Sequence, residues 1–94
     1  MKIVINSCYG GFSLSDPGIA RYLELADLIM DDKFYDRDIP RNDPALIQVV
    51  EELGDGANGS FAKLKIVEIP DDVLWQIEEY DGKEWVAEQH RTWG

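Results

Sequence analysis

Ile3, Val4 and Ile5 form a short apolar run near the start of the chain, followed by the glycine-containing segment Cys8-Tyr9-Gly10-Gly11-Phe12. β-Branched residues favour an extended strand, and glycine accepts the positive φ of a tight turn. The expected order is strand, glycine turn, helix. Ile19, Tyr22, Leu23, Ala26, Ile29 and Met30 then recur at three- and four-residue spacing, which places them on one helical face. Ser13 or Ser15 can cap that helix, Asp16 meets the positive end of its dipole, and Pro17 fits its first turn. The pattern predicts a helix to about Met30, where Asp31-Asp32-Lys33 interrupts it.

Phe34 to Pro44 alternates charge with two aromatics and two prolines, either a rigid approach to a second helix or a recognition surface. Asp43 caps this helix, Pro44 takes its first position, and Leu46, Ile47, Val49, Val50 and Leu53 supply its buried stripe before Gly54 stops it. Asp55-Gly56-Ala57-Asn58-Gly59-Ser60 is expected to be a flexible connection. From Phe61 the period becomes two, with Leu64 and Ile66 against Lys63 and Lys65, and Pro70-Asp71-Asp72 reverses the chain. Val73, Trp75 and Ile77 then alternate with Leu74, Gln76 and Glu78, and Asp81-Gly82 is a two-residue hairpin turn.

That turn sets a register. Tyr80 should pair with Lys83, Glu79 with Glu84, Glu78 with Trp85, Ile77 with Val86 and Trp75 with Glu88. Trp85, Val86, Gln89 and Trp93 also fit a helical face, but the hairpin favours a strand to about Gln89. The predicted fold is α+β, β-α-α-β-β-β, with two helices packed on a small, mainly antiparallel sheet.

With 94 residues, 45% apolar and 11% aromatic, the chain is long enough for one domain (1–94) with one core. Cys8 has no internal disulfide partner, and Cys8 with His90 is too few for a structural zinc site. Stability is expected from packing alone, with no cofactor and no metal. The apolar N-terminal run is too short for a signal peptide or a membrane span, so the expected compartment is the cytoplasm. Asn58-Gly59-Ser60 fits a glycosylation acceptor but is read as a turn. The net charge of −10 opposes direct binding to nucleic acid or to an anionic membrane. The excess is concentrated between Glu68 and Glu88, where Lys83 is the one base.

Several constellations could carry chemistry. Cys8 follows a strand and precedes glycines, but a catalytic thiol would need His90 as its base, and nothing local links the two. A buried, inert cysteine is the simpler expectation, so no catalytic residue is assigned and the protein is not expected to be an enzyme. Gly10 and Gly11 could present backbone N–H groups to a phosphate, with Tyr9 and Phe12 stacking on a base. No Gly-Lys-Ser/Thr or dinucleotide fingerprint accompanies them. Arg37, Arg41 and Arg91 would form an anion site if the fold gathers them, and otherwise pair with Asp36, Asp38 and Asp43. Glu79 and Glu84, directly opposed, should repel or chelate a hard cation, although too few oxygens accompany them for calcium or magnesium.

Carboxylates at alternate strand positions recur every ~6.6–6.8 Å, close to the phosphate spacing of one DNA strand. An acidic hairpin can thus imitate a nucleic-acid backbone, and Trp75, Trp85 and Trp93 add aromatic material suited to an interface. The expected protein interface comprises Glu78, Glu79, Glu84, Glu88, Trp85 and Trp93.

Taken together, Lys2-Ile3-Val4-Ile5-Asn6 with Cys8-Tyr9-Gly10-Gly11-Phe12-Ser13-Leu14-Ser15, then Asp36 to Pro44, Val67-Glu68-Ile69-Pro70 and Glu78-Glu79-Tyr80-Asp81-Gly82 through His90-Arg91-Thr92-Trp93, make a set. On these residues the chain resembles a group of small proteins encoded by tailed bacteriophages and prophages. The likeness covers most of the chain, although Ala26 to Lys33 is shorter than in that group. It transfers no activity and no site residue. It implies a setting, an accessory protein in an infected bacterial cytoplasm that occupies a host protein or its signalling ligand. The leading expectation is a non-enzymatic binding protein that inhibits a host defence or nucleic-acid-handling protein through the acidic hairpin. The alternative is a module in which Tyr9, Gly10, Gly11, Phe12, Arg37, Arg41 and Arg91 bind or sequester a nucleotide or other anion.

Overall fold

A computed structural model of the chain describes residues 1–28 and 34–88, without the side chain of Arg37. Its elements are β1 (Lys2–Asn6), α1 (Asp16–Ala26), α2 (Pro44–Leu53), β2 (Leu64–Glu68), β3 (Trp75–Tyr80) and β4 (Lys83–Glu88). Short 3₁₀ turns occupy Asp36–Asp38 and Gly54–Ala57. The α+β class and the order β-α-α-β-β-β hold. The strands form two antiparallel ladders, β1 with β2 and β3 with β4.

Ser15 caps α1, its side chain accepting from Gly18 N at 3.1 Å. The helix ends at Ala26, short of Met30, because Asp27 takes the left-handed conformation with φ 56°. Leu28 N then donates to Leu23 O at 2.9 Å and Asp27 N to Glu24 O, a closure that satisfies the last carbonyls. Ile29 and Met30 lie outside the described residues. At α2 Asp43 Oδ1 accepts from Ala45 N at 2.8 Å, Pro44 follows, and Gly54 stops the helix as its sequence predicts.

Leu46 and Val49 of α2 and Val4 of β1 are completely buried, and Leu14, Tyr22 and Ile39 close the core around them. Each such side chain contributes roughly 1.5–3 kcal/mol relative to exposure. Val4 N donates to Arg41 O at 2.8 Å, which fixes the approach to α2 alongside β1. The 55–60 segment is not the flexible connection expected of it. Ala57 is fully buried, Ser15 N donates to Ala57 O at 2.9 Å, and Gly59 N donates to Ser13 O at 3.0 Å. The backbone groups of this loop thus find partners at Ser13 and at the α1 cap Ser15, as buried backbone groups generally do.

The β3–β4 register has Tyr80 opposite Lys83, Glu79 opposite Glu84, Glu78 opposite Trp85, Ile77 opposite Val86 and Trp75 opposite Glu88, as the turn predicts. Asp81 and Gly82 both take positive φ, 52° and 93°, the requirement of the hairpin turn whose twist matches its strands. Trp75 and Ile77 are half-buried while Glu78 and Tyr80 on the alternate positions are exposed. The hairpin continues as strand to Glu88, and Gln89 onward lies outside the described residues. No helix of the described residues is long and apolar enough to cross a membrane.

Candidate functional site

Asn6, the last residue of β1, is completely buried, and its amide joins the glycine turn that follows it to two distant segments. Nδ2 donates to Cys8 O and to Gly82 O, each at 2.7 Å, while Oδ1 accepts from Lys63 N at 2.9 Å. A buried amide with its donors and acceptor used stabilises one arrangement of the three segments over others. The glycine turn is therefore locked to the start of β2 and to the tip of the hairpin.

Close backbone approach completes the docking. A Cβ on Gly82 would meet Tyr9 O and lie 2.6 Å from Gly11 N, so glycine is required there for space as well as for φ. A Cβ on Gly10 would collide with the Phe61 backbone. Lys83 Nζ then lies 5.6 Å from the Tyr9 ring centroid, within cation–π range.

Glu84 turns inward from the same hairpin and is 8% exposed. Its Oε1 accepts from Asn6 N at 2.8 Å and from Arg41 Nη1. The Arg41 guanidinium, 14% exposed, lies over the Phe12 ring at 3.7 Å from the centroid. Asp36 Oδ2 accepts from Leu14 N at 2.8 Å and holds the Asp36–Asp38 turn beside the end of the same loop.

Of the residues predicted to bind a ligand, Tyr9, Gly10, Gly11, Phe12 and Arg41 come together. The Arg37 side chain and all of Arg91 lie outside the described residues. Arg41 pairs with Glu84 rather than with the aspartates near it in sequence, two of which have other partners. Asp36 holds Leu14 N, and Asp43 caps α2 and accepts from the Tyr22 hydroxyl at 2.9 Å. Sequence reasoning missed Asn6 and Lys83. A polar amide closing an apolar strand and a single base in an acidic hairpin were their available signals.

Of the predicted interface, Glu78, Glu79, Glu88 and Trp85 are exposed, and Trp93 lies outside the described residues. Glu84 is corrected: buried against Asn6 and Arg41, it contributes no charge to an outer acidic face. The directly opposed Glu79 does not share its partners: Glu79 Oε2 accepts from Gly82 N at 2.9 Å. On the exposed face Trp85 Nε1 donates to Glu78 Oε2 at 3.2 Å. The Cys8 thiol donates to Phe61 O at 2.9 Å, and His90, its expected base, lies outside the described residues. Compared with known proteins, the chain matches no family model, no curated protein and no solved structure.

Proposed function

We propose that the protein binds a small anionic ligand of the nucleotide class at the turn Tyr9–Phe12 and acts by holding the ligand without transforming it. The carrying observation is the gathering of two cations on two aromatic rings of one turn, Arg41 over Phe12 and Lys83 over Tyr9, in a chain of net charge −10. Tyr9 is 62% exposed and offers a face on which a base can stack. Lys83 would meet phosphate, and Gly11, where a Cβ would find nothing within 4 Å, leaves the backbone open to close approach. Glu84 fixes the Arg41 guanidinium on Phe12, which keeps the floor of the site in one geometry. If the resemblance to phage-encoded proteins holds, the setting it implies is an infected bacterial cytoplasm, where removing a signalling nucleotide would blunt a host defence.

Native mass spectrometry of the protein after exposure to a nucleotide-rich extract tests this directly. The expected result is an adduct of nucleotide mass, weakened by Tyr9→Ala and by Lys83→Ala, both at exposed side chains outside the core. Loss of one base stack corresponds to roughly 5- to 150-fold in affinity. Absence of any adduct, or an adduct indifferent to both variants, overturns the proposal.

A second reading is favoured by a separate observation. Tyr80 and Trp85, 71% and 43% exposed, share the outer face of the hairpin with Glu78, a composition suited to contact with a basic host protein. Retained capture of the partner by a variant carrying Glu78→Gln, Glu79→Gln and Glu88→Gln would sink this reading. Glu84 is left out because its role is internal.

A further inference from the structure

The unpaired edge of β3 offers a second means of binding. In a hairpin with a two-residue turn, Tyr80 and Lys83 exchange both backbone hydrogen bonds, and the pairs alternate from there. Glu79, Ile77 and Trp75 therefore direct their N–H and C=O groups away from β4. Among the described residues β3 pairs with β4 alone, and no backbone hydrogen bond from elsewhere reaches these three. The strand Trp-Gln-Ile-Glu-Glu-Tyr carries no proline and no lysine, the usual devices that guard an edge.

Charge selects what such an edge accepts. A second copy of β3 brings two carboxylates and no base to this edge, and registers centred on Glu78 or Glu79 would set like charges opposite one another, which disfavours self-association. A strand with alternating basic and apolar residues satisfies both faces. Its basic side chains would lie beside Glu78 and Tyr80 on the exposed face, and its apolar ones beside half-buried Trp75 and Ile77.

We propose that the outer edge of β3 takes up an extended segment of another protein, alternating Lys or Arg with apolar residues, by strand addition. It rests on the second reading above, that the hairpin is a protein interface, and specifies how the partner is held.

The test uses the full chain and an eight-residue peptide of alternating Lys and Val, with a version N-methylated at the amides that would face β3. The expected result is saturable NMR shifts and slowed hydrogen exchange at the amides of Trp75, Ile77 and Glu79, with binding about tenfold or more weaker for the methylated peptide. Ile77→Pro deletes an outward N–H without removing a ladder bond and should weaken binding similarly. Equal binding of the two peptides, or no saturable binding, overturns strand addition. If the two peptides bind equally and Trp85→Ala abolishes both, strand addition fails while the aromatic docking face stands.

Discussion

Replacing Glu84 with alanine tests the central claim that this carboxylate belongs to the interior. Its opposite number in the ladder, Glu79, has the same chemistry but is exposed. Glu84→Ala leaves the N–H of fully buried Asn6 without its acceptor, at a cost of about 1–3 kcal/mol. It also leaves Arg41 without its carboxylate, but a guanidinium that retains 14% exposure can recover part of its hydration, so this loss stays near ~1 kcal/mol. The sum is about 2–4 kcal/mol, a large part of the roughly 5–14 kcal/mol available to a domain of this size. It corresponds to a fall in Tm of roughly 10–25 °C.

Urea unfolding of both variants supplies the assay. Glu84→Ala should lower the midpoint with the slope unchanged, whereas Glu79→Ala should stay within about 0.5–1 kcal/mol of the parent. A cycle with Arg41→Met should show that the two single changes do not add. Equal costs at Glu79 and Glu84, or additivity with Arg41, would refute the buried network.

Gly82→Ala should destabilise by about 1–3 kcal/mol or more, and more than Gly11→Ala, because both positions have positive φ but only at Gly82 does a Cβ also meet Tyr9 O and Gly11 N. Thermal melts of the two variants compare them. The Tyr22 phenol is pushed up to about 12, first by burial and then by its hydrogen bond to Asp43. The folded state therefore holds this proton more tightly than the unfolded one. Its contribution is complete below the ordinary tyrosine value of about 10 and is lost as pH rises toward 12, which an ultraviolet titration with Tyr22→Phe as reference would follow. Glu52 is held down to about 2, chiefly by hydrogen bonds from Arg21 and then from Gln48. Its contribution is present above the ordinary carboxyl range and fades as pH falls toward 2, small in size because solvent screens the pair. Carboxyl NMR titration should return Glu52 toward the ordinary range in Arg21→Met.

The legible parts of the fold were those decided by neighbouring residues. Asp43-Pro44 and Gly54 bounded α2, and Asp81-Gly82 set every pair of the hairpin, because caps and two-residue turns act through local backbone geometry. The α1 end was misplaced because Asp27, without glycine's freedom, still took a left-handed conformation. Loop 55–60 looked flexible from its glycines, yet its partners Ser13 and Ser15 lie some forty positions earlier, outside any local window. Glu84 was misassigned for the same reason. Alternation gives the face of a strand on which a residue lies, whereas Asn6 and Arg41, remote in sequence, decide that this part of the face is interior.

Charge offers a discriminating measurement between the two binding readings. Among the described residues Lys2, Arg21 and Arg41 form ion pairs, whereas Lys83 lies over Tyr9 although Glu84 adjoins it in sequence. An anion approaching that lysine must cross the field of a molecule with net charge −10, a repulsion that acts over about 8–10 Å at moderate ionic strength. Added salt screens this barrier, so association of a nucleotide at the Tyr9 turn should quicken as salt rises from low levels. A basic segment approaching the edge of β3 meets attraction instead, and its association should slow over the same range. Stopped-flow rates with each probe at low and moderate salt would show the two slopes. A nucleotide rate that falls with salt, as it does for sites in a positive field, would refute the assignment of the ligand to this turn.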